Sequence, residues 1–280
     1  MLTVNGEIIN QNFKEIYGKY LMESPFFTKI DVIESVRKGF QSFPIDTSSY
    51  TIQECCGEPT NSSITLKETY VTCVSSIKKF CKSDANVLDG ASVRGGDTSL
   101  GTVGESILKE MALNFQLGLC ELGIQGNTTL GINGLLSISN GTATGTLNNV
   151  FDACLSGFQA VPTNSLGKIG VFMSGQNYNK LKVEILQKNL PMFTVIQDTT
   201  DMNFTFPGLN IEIINMNGAI PNNRLIVTPF SNVLRFASRI EDDNFCNIAH
   251  DPYGSVIFTI QALFGITVKY PELSVIVNLT

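Results

Sequence analysis

Seven cysteines and one histidine are the side chains of this sequence with the richest chemistry. Cys55, Cys56, Cys73 and Cys81 fall in the first third of the chain, and four thiolates suffice for a zinc ion. Zinc sites draw their sulfurs from short Cys-x-x-Cys turns, because two ligands must leave one tight loop at tetrahedral angles. Here one pair is adjacent, the other two cysteines are widely spaced, and His250 is remote. All four are read as buried strand residues, and Cys120, Cys154 and Cys246 as isolated thiols in apolar settings. His250 precedes Asp251, but a carboxylate that orients an imidazole must lie across the ring, not next in sequence. His250 therefore reads as a turn residue before the last long strand. No Gly-x-Ser-x-Gly turn offers a nucleophilic serine, and no carboxylates recur at metal-binding spacing. The sequence assigns no catalytic, cofactor-binding or metal-ligating residue, and no cofactor.

A last chemical candidate is the glycine-rich stretch LGIQGNTTLGINGLL at 122–136. Phosphate-binding loops follow a strand, open a helix and end in Gly-Lys-Ser/Thr. This one follows a helix and lacks that ending, so it is not read as a nucleotide site. The helix before it is the element that the chain is organised around. Val103, Ile107, Met111, Phe115 and Leu122, widened by Leu108 and Leu119, place an apolar stripe along residues 99–122. Gly101, Gly104 and Gly118 weaken its propensity, so packing must hold it.

At 280 residues the chain is long enough for a large core, as one domain or two lobes. Only 16% of residues are charged, and the formal net charge is -6 with no Lys/Arg run, which argues against sequence-specific DNA binding. Eighteen Phe and no Trp accompany surfaces made polar by Asn, Thr, Ser and Gly rather than by charge, as suits a chain covered by neighbours and equally many secreted or cell-surface β-proteins. No signal-peptide pattern or membrane-length apolar run occurs. Reduced thiols are then expected, and the Asn-X-Ser/Thr sequons are read as composition.

Residues 1–49 read as an arm with short helices at Phe13, Ile16, Tyr17 and Tyr20 and at Ile30, Ile33, Val36 and Phe40, punctuated by Pro25 and Pro44, whose apolar residues must find a partner on their own domain or on a neighbour. Along 50–84, Ile64, Leu66, Tyr70 and Val74 alternate with Thr65, Lys67, Thr69 and Cys73, the pattern of a half-buried strand. Residues 84–98 form a hydrophilic loop, where Arg94 and Asp97 suit a salt bridge. Residues 137–146 read as a mobile tip or lobe boundary. Thr146 is expected to cap a helix with Val150, Phe151, Cys154, Leu155 and Phe158 on its face; Ser174 caps another with Tyr178, Leu181 and Ile185. Strands at 168–173, 193–196, 209–214 and 225–227 complete an α/β lobe, with Arg224, Arg235 and Arg239 placed for ion pairs between subunits. Finally, Val256, Phe258, Ile260, Ala262, Phe264, Ile266 and Val268 share one face of a long strand that spans its domain or bends at Gly265. Leu273, Val275, Val277 and Leu279 mark another.

In this succession the sequence resembles the major capsid proteins of tailed bacteriophages, whose fold is shared with encapsulins. The helix at 99–122 resembles that family's spine helix, and GIQGNTTLGINGLL resembles its glycine-rich exit. SLGKIGVFMSGQNYNKLKVEIL resembles the axial-lobe strand and helix, and residues 255–280 resemble the returning strands. The stretch EPTNSSITLKETYVTCVSSIKKFCKSD also resembles, more weakly, capsid proteins of phages infecting Bacteroidetes. The resemblance implies an α+β fold: arm 1–49, extended β-hairpin loop and linker 50–98, peripheral domain 99–136 with 237–280, and axial domain 137–236. It implies self-assembly through hexamers and pentamers into an icosahedral shell around double-stranded DNA, with no sequence-specific binding, no membrane and no enzymatic activity. It further implies a portal, separate scaffolding or maturation proteins, and a virion built in the bacterial cytoplasm. An encapsulin-type cargo shell and a tail or baseplate protein are the alternatives.

Overall fold

The computed structural model describes residues 15–16, 18, 24–34, 36–46, 64–80, 102–162, 167–188, 195–196, 203–206, 211–237, 246–250 and 256–280. In chain order come β1 (Asp31–Ile33), β2 (Gly39–Asp46), β3 (Ile64–Phe80), α1 (Thr102–Gln125), β4 (Gly126–Asn127), β5 (Ile132–Asn133), α2 (Leu135–Ile138) and β6 (Gly141–Gly145). Then follow α3 (Val150–Ala160), β7 (Ile169–Met173), α4 (Gly175–Gln187), β8 (Val195–Ile196), β9 (Asn203–Phe206), β10 (Ile211–Asn215) and β11 (Arg224–Pro229). The last four are β12 (Val233–Ala237), β13 (Cys246–His250), β14 (Val256–Val268) and β15 (Val275–Leu279).

The expected long strand is present as β14, and the first sheet forms around it in the order β1-β12-β14-β3-β2, with β13 also paired to β14. It runs the length of that sheet: Val256 to Phe264 pair with β3, and Phe264 to Val268 pair with β12. Its alternate residues Ile260, Ala262, Phe264, Ile266 and Val268 are buried in one core with Met111, Phe115, Leu119 and Ile124 of α1. The helix runs about a turn further than its apolar stripe suggested. At Gly123 the helix lies so close to the sheet that a Cβ would stand 3.2 Å from Ile266 Cδ1.

The second expected helix of the arm is absent. Residues 31–33 are instead a strand parallel to β12, and Gly39 begins a strand antiparallel to β3. β-Branched Val32 and Ile33 favour extended backbone, and open sheet edges give it hydrogen-bond partners that a short helix in water lacks. Nor are residues 24–30 a free arm. Phe26, Phe27 and Ile30 are buried in the core of α1 and β14, with Phe26 edge-on to Phe172 at 5.4 Å between centroids. Lys29 Nζ lies 3.2 Å and Lys168 Nζ 2.7 Å from the buried carboxylate of Glu212. Arg235 was expected to face a neighbour, but it is buried in β12 with its guanidinium 4.5 Å from the Phe27 ring centroid. Arg94, Asp97, Arg239 and Asp251 lie outside the described residues.

The second sheet has the order β6-β15-β11-β7-β10-β9-β8. Helices α3 and α4 cover one face, through Val150, Cys154, Tyr178, Leu181 and Ile185 against Val171, Ile213, Val227 and Val277. The opposite face sends Phe172, Ile214 and Ile226 into the core of α1 and β14, so the two sheets share apolar packing. Ser174 caps α4 as expected, its hydroxyl accepting from Asn177 N at 3.3 Å. The cap of α3 is Asn149, not Thr146: Asn149 Oδ1 accepts from Asp152 N at 3.1 Å. Asparagine immediately before the first helical residue is among the strongest caps. Both Glu184 oxygens also accept from α3, from Val150 N at 2.9 Å and Phe151 N at 2.7 Å. Residues 141–145 form the edge strand β6, parallel to β15, not a projecting tip. The closing segment is divided: β14 belongs to the first sheet, whereas β15 sits between β6 and β11 in the second.

Candidate assembly surfaces

The β2–β3 hairpin carries the clearest departure from sequence patterning. The alternation along β3 assigns Leu66 and Tyr70 to the buried face. The subunit buries the opposite face there: Val71 packs with Phe43 and Ile45 of β2 and with Leu234 and Phe236 of β12. Successive strand residues point to opposite sides, so Leu66 is turned outward and is 68% exposed. Beside it in the register lie Phe40, opposite Tyr70, and Pro44, opposite Leu66. Phe40 is 72% exposed and meets Tyr70 edge-on at 5.2 Å. Further along, Val74 regains contact with the α1–β14 core on the same side of the strand.

Tyr70 in turn rests on the glycine-rich segment. After α1 the chain folds back through the two-stranded β4–β5 hairpin, whose turn is capped by Asn127 Oδ1 accepting from Leu130 N at 3.1 Å. Gly131, at φ 71°, ends that turn directly under the Tyr70 ring; a Cβ there would fall 3.1 Å from Tyr70 Cδ1. The glycines thus serve a tight turn and a close aromatic approach, a structural role rather than phosphate binding.

Two further exposed apolar pairs lie on helices. Leu113 and Leu117 share the outer face of α1, and Val183 and Leu186 lie off the buried stripe of α4, with Leu186 75% exposed. The sequence pattern gives Leu66 and Tyr70 to the buried face of a strand and Phe40 to a helix, and it does not single out Val183 or Leu186. The signal was available: Val183 and Leu186 fall outside the Tyr178, Leu181 and Ile185 stripe. The lysines flanking the hairpin are engaged within the subunit: Lys67 Nζ donates to Lys269 O and Lys269 Nζ pairs with Asp31, each at 2.7 Å.

Cys73 lies on β3 and is exposed, which corrects its reading as a buried strand residue; Cys120 and Cys154 are buried. Cys55, Cys56 and Cys81 lie outside the described residues. Among the described residues there is no cluster of three metal-ligating side chains and no helix long and apolar enough to cross a membrane. His250 closes β13, its backbone paired with Val256. Burial pushes the Cys120 thiol up to about 12 despite the Ser24 hydrogen bond and the Arg235 charge, which favour the thiolate. Burial, reinforced by Glu184, raises that of Cys154 also. Such a shift makes the Cys120 thiolate far scarcer than that of an ordinary cysteine. A maleimide reagent at pH 7.5 is therefore expected to label Cys73 in the native chain and spare Cys120 and Cys154 until urea is added. Peptide mass mapping reads this directly, and labelling of Cys120 at the Cys73 rate would contradict the burial.

No protein-family model matches the sequence, and no curated protein does. Solved structures do match. A structure of Gordonia phage Cozz aligns over 92% of this chain and 86% of its own, with a TM-score of 0.63 at 13% identity. The virus-like particle of Pyrococcus furiosus aligns over 97% of this chain and 98% of its own, with a TM-score of 0.54 at 15% identity. The SrpI encapsulin complex of Synechococcus elongatus aligns over 91% and 87%, with a TM-score of 0.59 at 9% identity. The chain has the fold of tailed-phage capsid and encapsulin subunits. These matches extend across nearly the whole of both partners, so the shared fold includes both sheets, not one lobe alone. Helices α3 and α4 pack on the second sheet as the expected α/β lobe, to which β15 is added.

Proposed function

We propose that this chain is a major capsid protein whose copies assemble through hexamers and pentamers into an icosahedral shell around double-stranded DNA. The observation that carries the reading is the outward apolar face of the β2–β3 hairpin, in a chain whose fold is that of shell subunits. Phe40 and Leu66 are large apolar side chains that the subunit leaves exposed, and a neighbouring copy supplies the cover that the subunit lacks. Repetition of one such contact around symmetry axes accumulates area without a high-affinity dimer. The low charge content suits interfaces with few ions to desolvate. In this reading the part of residues 1–49 that precedes Ser24 reaches toward neighbours, and residues 50–98 contain the loop of the extended hairpin. The peripheral body consists of residues 99–136 with β12 to β14, and the axial body consists of β6 to β11 with α3, α4 and β15. Its role is structural, not enzymatic, and portal, scaffolding or maturation functions reside in separate proteins. The location is a virion assembled in the bacterial cytoplasm.

The matches to an encapsulin and to an archaeal virus-like particle support a second reading, a cargo shell. Expression of the chain alone and with its genomic neighbours, followed by electron microscopy, tests both. Closed polyhedral particles are expected. Nucleic acid inside supports the capsid and an enzyme cargo supports the encapsulin, whereas tubes or small rings would move the assignment to a tail or baseplate protein.

A further inference from the structure

Two strand pairs pass through both sheets and turn where they leave one for the other. In the second sheet β11 pairs antiparallel with β15 as far as Val227 opposite Val275; in the first, β12 pairs with β14 from Val233 opposite Val268. Between these ladders one strand turns through Phe230–Asn232 and the other through Pro271–Leu273. Backbone groups at such a junction lose their ladder partners, yet they are too enclosed for water to replace them cheaply.

Asn232 supplies the replacement. It is buried, and its Oδ1 accepts from Tyr270 N at 2.8 Å while its Nδ2 donates to Tyr270 O at 2.9 Å. Those two bonds to one residue reproduce the reciprocal pair of an antiparallel ladder, with a side-chain amide standing in for a peptide. Nδ2 also donates to Thr228 Oγ1 at 3.2 Å, and the Asn232 carbonyl accepts from Lys269 N at 2.8 Å. The connection from α2 into β6 is fastened to the same junction: Asn140 N donates to Pro271 O at 3.1 Å, and the buried Ser139 and Ser274 hydroxyls share a bond of 2.7 Å.

We propose that Asn232 is a positioning residue, the brace that sets the angle between the two sheets. Resting on the shell reading above, we infer that this angle gives every subunit the curvature that a single particle diameter requires. Only an amide fits the role. Aspartate keeps the acceptor for Tyr270 N but presents no donor to Tyr270 O, and alanine presents neither.

The test compares the parent chain with Asn232→Ala, using Ser139→Ala as a variant that leaves the amide brace in place. Hydrogen exchange at Tyr270 and Lys269 is measured on the soluble chain, and particle diameters by electron microscopy after assembly. Asn232→Ala is expected to speed exchange at Tyr270, whose acceptor is removed, on the order of tenfold to a hundredfold, to affect Lys269 less because its main-chain acceptor remains, and to spread the diameters. Ser139→Ala is expected to keep the parent diameter. Unchanged exchange, or faster exchange with the single parent diameter, overturns the proposal. If circular dichroism finds Asn232→Ala unfolded, Asn232→Asp replaces it with the same readouts. Loss of folding in both variants overturns a role confined to the junction. A parent chain that never forms shells would remove the shell reading and the curvature inference with it, while exchange at Tyr270 still decides whether Asn232 braces the sheets.

Discussion

Leu66→Asp is expected to leave the isolated subunit as stable as the parent and to abolish closed particles. Leu66 is 68% exposed on the outer face of β3, so a carboxylate there meets water in the monomer. Surface substitutions of this kind change stability by about 0.5 kcal/mol or less. In the proposed shell the same position lies against a neighbouring copy, and an unpaired carboxylate sealed into an apolar contact costs several kcal/mol per interface. Every copy repeats that cost, so assembly is lost rather than merely slowed. Phe40→Asp is expected to behave alike. Tyr70→Asp is not an equivalent test, because Tyr70 packs on Gly131 and Phe40 within the subunit. Urea unfolding of the monomer and sedimentation of assembled material, measured on the same preparation, separate the two effects. Normal particles from Leu66→Asp would show that this face is not an interface.

That hairpin also marks where the sequence stopped being legible. Period-two patterning located β3 correctly but placed the wrong face of its first half inward. Periodicity records that a side chain is written for burial, not whether its own chain or another copy buries it. The interior elements were readable for the converse reason. Over the residues described, α1, α4 and β14 bury their stripes inside the subunit, and local pattern and tertiary packing agree there. The segment from Ile30 through β1 to the start of β2 was misread as a helix because Ile30, Ile33, Val36 and Phe40 are compatible with period 3.6. What decides the matter is the open edge of β12, supplied from far along the chain, and that of β3, the next strand. The destination of β15 was hidden likewise. A strand names its own pattern but not its partners, and here the partners are β6 and β11, not the adjacent β14. Asn232 looked like one polar residue among many, and only the junction around it reveals its task.

The misreading of the N-terminal segment changes what its removal should do. Were residues 1–40 a free arm, their deletion would leave a folded subunit that cannot close shells. The structure requires a different result, because Phe26 is 1% exposed and lies between Phe27 and Phe172, in the core that α1 and β14 share with the second sheet. Phe26→Ala is expected to cost about 3–5 kcal/mol, from lost apolar burial and from the cavity left at a junction braced on all sides. A domain of ordinary stability has about 5–15 kcal/mol in total, so the variant should unfold at a much lower urea concentration with an unchanged slope. Deleting 1–40 removes Phe26, Phe27 and Ile30 together, takes β1 from the edge of β12, and withdraws Lys29 from Glu212. That chain should not fold. A cut after residue 23 spares all of these contacts, so its product should fold, and any assembly defect it shows then belongs to the arm proper. Circular dichroism and urea titration of the two truncations decide the point, and a cooperative transition at the parent midpoint for the longer deletion would refute this account of the core.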